Sequence, residues 1–112
     1  MSIHLHKAIE SLKQMILELG SLVEESVSMA LIAAETRDAN LAQRVIDGDE
    51  IIDMREVEVE EECLKILALH QPVATDLRFI VAVLKINNDL ERIGDLACNI
   101  ASRARKMGAL TT

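Results

Sequence analysis

Ile9, Leu12, Ile16, Leu19, Val23, Val27, Ala30 and Ala34 recur at intervals of three and four along the first third of the chain. That spacing stacks them on one stripe of an α-helix, a seam meant for packing on neighbouring helices. Two breaks interrupt the periodic pattern. In "ETRDANLA", Asp38 has the short polar side chain that caps a helix N-terminus. In "LHQPVATDL", Pro72 cannot continue a helix, and Thr75 and Asp76 supply capping chemistry and first-turn negative charge. The breaks predict three helices over about residues 3–36, 39–69 and 74–107. Each runs to about 30 residues, or ~45 Å at 1.5 Å per residue. Short connections make consecutive helices antiparallel, so the expected fold class is all-α: one domain built as a long antiparallel three-helix bundle.

Composition agrees with that class. Of 112 residues, half are apolar, but only one is aromatic, one is proline and four are glycine, a palette for helices rather than strands and turns. Gly20 and Gly48 fall inside helical patterns at a cost of about 1 kcal/mol each relative to alanine, and are read as marks of close helix contact or a kink. Nineteen acidic against twelve basic side chains give a net charge of −7. This disfavours general affinity for nucleic acid or anionic lipid and suits cations or basic protein surfaces. Cys63 and Cys98 lie far apart, outside any metal-binding spacing, and read as two reduced core thiols. The N-terminus lacks the layout of a signal peptide and no apolar run approaches a membrane span, so the expectation is a soluble protein.

The charge is not spread evenly. Stepped at 100° per residue, the third segment carries a wide apolar band including Leu77, Ile80, Val81, Val83, Ile86, Leu90, Ile93 and Ala97. One edge of that band, Leu77, Val81 and Leu84, continues as Asn88, Glu91, Asp95 and Ser102, an inward-leaning polar row. In the second segment Asp49, Asp53, Glu56 and Glu60 share an arc bracketed by Val45, Ile52, Val59 and Cys63 on one side and Ile46, Val57 and Leu64 on the other. Like charges one turn apart repel by a few tenths of a kcal/mol, and by more when partly desolvated. Two readings follow. The rows are a boundary solvated by water and answered by Arg44, Arg78, Arg92 or Arg103; or the i,i+4 pairs Asp49 with Asp53 and Glu91 with Asp95 aim oxygens at a bound cation. Catalytic chemistry has no candidate constellation. His4, His6 and His70 sit near segment ends, no Glu-x-x-His pattern supports a di-iron carboxylate enzyme, and there is no phosphate-cradling loop.

The combination of D-x-x-x-D at residues 49–53, "QPVATDLR" at the second break and "ERIGD" in the third segment closely resembles one repeat of the PhoU family of phosphate-signalling regulators, from about Gly20 onward. The resemblance implies a three-helix repeat whose D/E-x-x-x-D motifs bind metal, iron or zinc in some members; magnesium or manganese also suits an all-oxygen set. Carried over by position, the metal residues are Asp49, Asp53, Glu91 and Asp95, with Asn99 a polar neighbour. Family members are implied to be non-enzymatic cytoplasmic adaptors that damp phosphate-starvation signalling through a PhoR-type sensor kinase and the PstB-type ATPase of the phosphate transporter. Membrane association would then come only through partners. The family usually carries two repeats in about twice this length. A second copy could replace the second repeat, so a homodimer is expected, with Ile51, Met54 and Leu96 as candidate interface positions. Two other readings are a structural helical module attached to a phosphate transporter, without a physiological metal site, and a carboxylate-bundle metal store.

Overall fold

The structure, a computed structural model, describes residues 3–110. Three helices account for it: α1 (Ile3–Thr36), α2 (Ala39–His70) and α3 (Ala74–Leu110). They pack as a rod of 61 × 17 × 17 Å.

The first turn is built as the sequence suggests, with one added feature. Arg37 takes a left-handed conformation (φ 56°) just past α1, and the Asp38 N–H donates to the Ala33 carbonyl at 3.0 Å, closing a Schellman-type C-cap without glycine. The Asp38 carboxylate then accepts from the Leu41 N–H at 3.0 Å and starts α2. The second turn uses a left-handed Gln71 (φ 45°) before Pro72. α3 begins at Ala74, so Thr75 and Asp76 lie within its first turn and are not its cap; Asp76 there complements the helix dipole. α3 also extends three residues beyond the expected residue 107.

The core has two halves. Toward one end, Leu5, Ile9, Leu12, Leu19 and Val23 of α1 meet Ile52, Val59, Cys63 and Ile66 of α2 and Ile80 and Val83 of α3. Toward the other, the buried set is Ala30, Ala33, Ala42, Val45, Ala97, Ala101 and Ala104. Small side chains draw the helices closer there, since interaxial distance follows side-chain size at the contact. A narrow seam is enough for three helices, and this corrects the wide band expected on α3. Leu77, Val81, Ile86 and Ile93 are at least 39% exposed, while Asn87, Gly94 and Gly108 take seam positions.

The glycines are reassigned accordingly. Nothing lies within 4 Å of a Cβ built on Gly20 or Gly48, so neither marks a close contact. At Gly108 the same Cβ would stand 2.8 Å from the Arg37 carbonyl oxygen and 3.2 Å from the Ala39 Cβ. The end of α3 thus closes on the α1–α2 turn. Gly108→Ala is expected to destabilise the fold by about 1–3 kcal/mol through overpacking on backbone. Gly20→Ala should stabilise it by up to about 1 kcal/mol. Urea unfolding of the two variants checks both signs.

Candidate metal centre

The acidic residues lie where the two core halves meet, along the groove between α2 and α3. One cross-helix bond sets the register: the buried Asn87 side chain donates its Nδ2–H to the Glu56 backbone carbonyl at 3.0 Å. Because the helices run antiparallel, placing Glu56 beside Asn87 brings Asp49 and Asp53 level with Asp95 and Glu91.

Asp49, Asp53 and Asp95 each present one carboxylate oxygen within 4.8 Å of the others. Asp49 is half-buried, and Asp53 and Asp95 are exposed. The fourth expected residue, Glu91, is not part of that triad. It is exposed one turn along α3, lining a common groove with Asp53, Glu56, Glu60, Asn87 and Asp95. The row on α3 described from sequence as inward-leaning is in fact the rim: Asn88, Glu91 and Asp95 are exposed and Ser102 is half-buried. Asn99 is also exposed.

The buried polar residues are different ones. Glu56 is 7% exposed and Asn87 3%. Glu56 Oε1 and Asn87 Oδ1 find no hydrogen-bond partner. Glu56 was legible as one of the hemmed-in arc of α2. Asn87 was missed in favour of its neighbour Asn88, although its position seven residues along from Ile80 and four from Val83 is the seam spacing. Gly94, next to Asp95, forms the floor. Its missing Cβ would stand 3.6 Å from Ile52 Cγ2, 3.8 Å from Glu56 Oε1 and 4.0 Å from Asp49 Oδ1.

Among the described residues, no ion pair joins a basic side chain to these carboxylates. The ion pairs Lys13–Glu10, Arg55–Glu58, Lys65–Glu62 and Arg92–Asp89 are all one-turn surface pairs, and none reaches the groove. Arg44 lines a separate cleft between α1 and α2. Carboxylate therefore faces carboxylate. Burial, then the charges of Asp53, Glu91, Asp95 and Asp49, push Glu56 up to about 7. Burial, then Asp53 and Asp95, raises Asp49. Cys98 also reports this field, since burial followed by Asp49, Asp95 and Asp53 raises its thiol. Only Cys63 is a core thiol; Cys98 is half-exposed beside the acidic cluster, against the sequence reading. Several oxygens on one small space, with no counter-charge, form a donor set suited to a hard cation.

Residues 16–104 match the PhoU domain family. A phosphate-specific transport system accessory protein PhoU homolog of Aquifex aeolicus is 44% identical over 100 residues, covering 89% of this chain and 45% of that protein. The crystal structure of PhoU from Pseudomonas aeruginosa superposes with a TM-score of 0.90 at 40% identity, covering 93% of this chain and 50% of the other. The phosphate transport system regulatory protein PhoU from Streptococcus pneumoniae gives 0.83 at 35%, covering 89% and 47%. The chain thus spans about half the length of the relatives it matches.

The raised Glu56 predicts a pH dependence of stability. Between its ordinary value of 4.5 and about 7, the folded protein keeps a proton that the unfolded chain has released. Raising the pH through that window therefore favours unfolding, below it there is no penalty, and above it the penalty is complete. Asp49 acts in the same direction. In metal-free buffer the melting temperature of Glu56→Gln, measured against the parent, should rise progressively from pH 4.5 to 7 and hold its advantage above.

Proposed function

The chain belongs to the PhoU family, and we propose from that membership that it is a non-enzymatic cytoplasmic regulator of phosphate uptake and phosphate-starvation signalling. It works as a metal-binding adaptor toward a PhoR-type sensor kinase and the PstB-type ATPase of a phosphate transporter. The observation that carries the reading is the meeting of Asp49, Asp53 and Asp95 oxygens within 4.8 Å, across two helices of a PhoU domain. Glu91 completes the acidic groove from α3.

The physical account is one of charge and helix geometry. A divalent or trivalent ion between α2 and α3, such as iron, zinc, manganese or magnesium, cancels repulsion that the chain's own side chains leave standing. It thereby fixes the surface that a partner reads. Binding to the folded state alone adds stability by mass action, about 2.7 kcal/mol at a hundredfold excess over Kd. The adaptor operates as a homodimer, for which the exposed Ile51, Met54 and Leu96 provide apolar surface. Among the described residues no helix is long and apolar enough to cross a membrane, in keeping with membrane attachment through partners.

The exposure of Asp53 and Asp95 favours a second reading, a structural helical module whose carboxylates are satisfied by water. Two experiments separate them. The Asp53→Ala, Asp95→Ala double variant is expected to lose metal affinity by more than about tenfold in calorimetry, and unchanged binding would remove the metal assignment. Immobilised protein should retain the transporter ATPase or the sensor kinase at one of two phosphate concentrations. Retention of neither, at low or high phosphate, selects the structural module.

A further inference from the structure

Three packed helices leave three outer grooves, and the one between α1 and α2 is separate from the acidic groove between α2 and α3. It carries a cleft of about 210 Å³ lined by Leu22, Ser26 and Met29 of α1 and Arg44, Gly48 and Ile51 of α2. A cavity of about 150 Å³ accepts benzene, so this cleft has room for one leucine- or phenylalanine-sized group. Gly48 opens it. Nothing lies within 4 Å of a Cβ built there, and glycine within a helix costs stability that alanine would spare. Ser26 is 8% exposed at the cleft, and among the described residues its hydroxyl has no hydrogen-bond partner. Arg44 on one bank and Glu25 on the other take part in none of the ion pairs. Apolar walls, an unpaired buried hydroxyl and one unpaired charge of each sign together suit a ligand that is apolar at its centre and charged on both flanks.

We propose that this cleft seats an amphipathic helix of a partner protein: a large apolar side chain enters over Gly48, a partner carboxylate meets Arg44 and a partner cation meets Glu25. The charges select the occupant. A segment of one sign only would be repelled on one bank, so the partner carries both signs beside its anchor. A groove between two antiparallel helices has no sheet edge for an extended strand, and recognition in such a groove is by helix anchors at i, i+3, i+4 or i+7. The groove supplies a second anchor point. A smaller dent bounded by Met15, Glu18 and Val59 lies on the same face, and Glu18 precedes Ser26 by about two turns of α1, ~12 Å. That distance is close to the i, i+7 spacing of a helix lying along the groove. The inference rests on the adaptor reading and deepens it, giving the adaptor's partner a face of its own away from the carboxylates.

The probe is a synthetic stapled helix with leucine anchors at i and i+7 and one glutamate and one lysine flanking the first anchor, labelled with a fluorophore and titrated into the full chain. Binding should shift the methionine methyl NMR signal of Met29 and leave that of Met107, near the end of α3, unmoved. Gly48→Leu, whose side chain occupies the cleft, should melt no lower than the parent and weaken binding more than about tenfold. Ile51→Glu, on the exposed wall, is a second variant with the same expected loss. Arg44→Ala, or a peptide with glutamine in place of both charges, should weaken binding about two- to fivefold, the worth of an exposed ion pair. A peptide that does not bind the parent, or binds Gly48→Leu and Ile51→Glu equally well, overturns the seat. A parental dimer that Gly48→Leu breaks gives the cleft to a second copy and also overturns it. The adaptor reading is judged apart, by retention of the transporter ATPase or the sensor kinase. If the parent and Gly48→Leu retain either one equally, only the seat falls; if the parent retains neither, both fall.

Discussion

Uncompensated repulsion along the α2–α3 groove is the constraint to which the rest of the structure answers. Asp49, Asp53, Glu56, Glu60, Glu91 and Asp95 come from two helices that must pack together to fold at all, and the observed ion pairs lie on other faces. The groove stays closed because the seam beneath it is apolar on both sides: Ile52, Val59 and Val83 toward one end, Val45 and Ala97 toward the other. Burial of these side chains at roughly 25 cal/mol per Å² offsets the charge, which is felt most where Glu56 dips into the seam. A bundle designed only for stability would place leucine at that position and at Asn87. The polar pair weakens the fold, and it also fixes the alignment of the two acidic rows.

The two halves of the core support this arrangement differently. The alanine-rich half lets the helices approach closely, and Gly108 carries that to backbone contact with Arg37. The aliphatic half is filled by leucine, isoleucine and valine, with Lys13 lying 5.6 Å from the Phe79 ring centroid at its edge. Gly94 stands between the two. There the spacing of the helices leaves room above its Cα for oxygens from α2, so the close packing of one half and the bulk of the other together frame the candidate site.

Much of the fold was written locally. Asp38 and Pro72 carry their own turn chemistry, and the three-four spacing of α1 needs no tertiary information to be read as a seam. Local spacing also paired Asp49 with Asp53 and Glu91 with Asp95. What it could not supply was the rotation of each helix about its own axis. An error of one position on α3 turned Asn88 inward instead of Asn87 and hid the role of Gly94, while placing exposed Leu77 and Val81 in the core. For the same reason Cys98 read as a core thiol. The depth of Glu56 depends on what α3 presents opposite it, and no periodicity within α2 reports that.

The central claim is that a cation answers the acidic groove between α2 and α3. Anomalous diffraction from crystals grown with manganese tests it most directly. The account predicts a peak between the carboxylates of Asp49, Asp53 and Asp95. A groove without that peak, in crystals of protein shown to carry the metal, would contradict it.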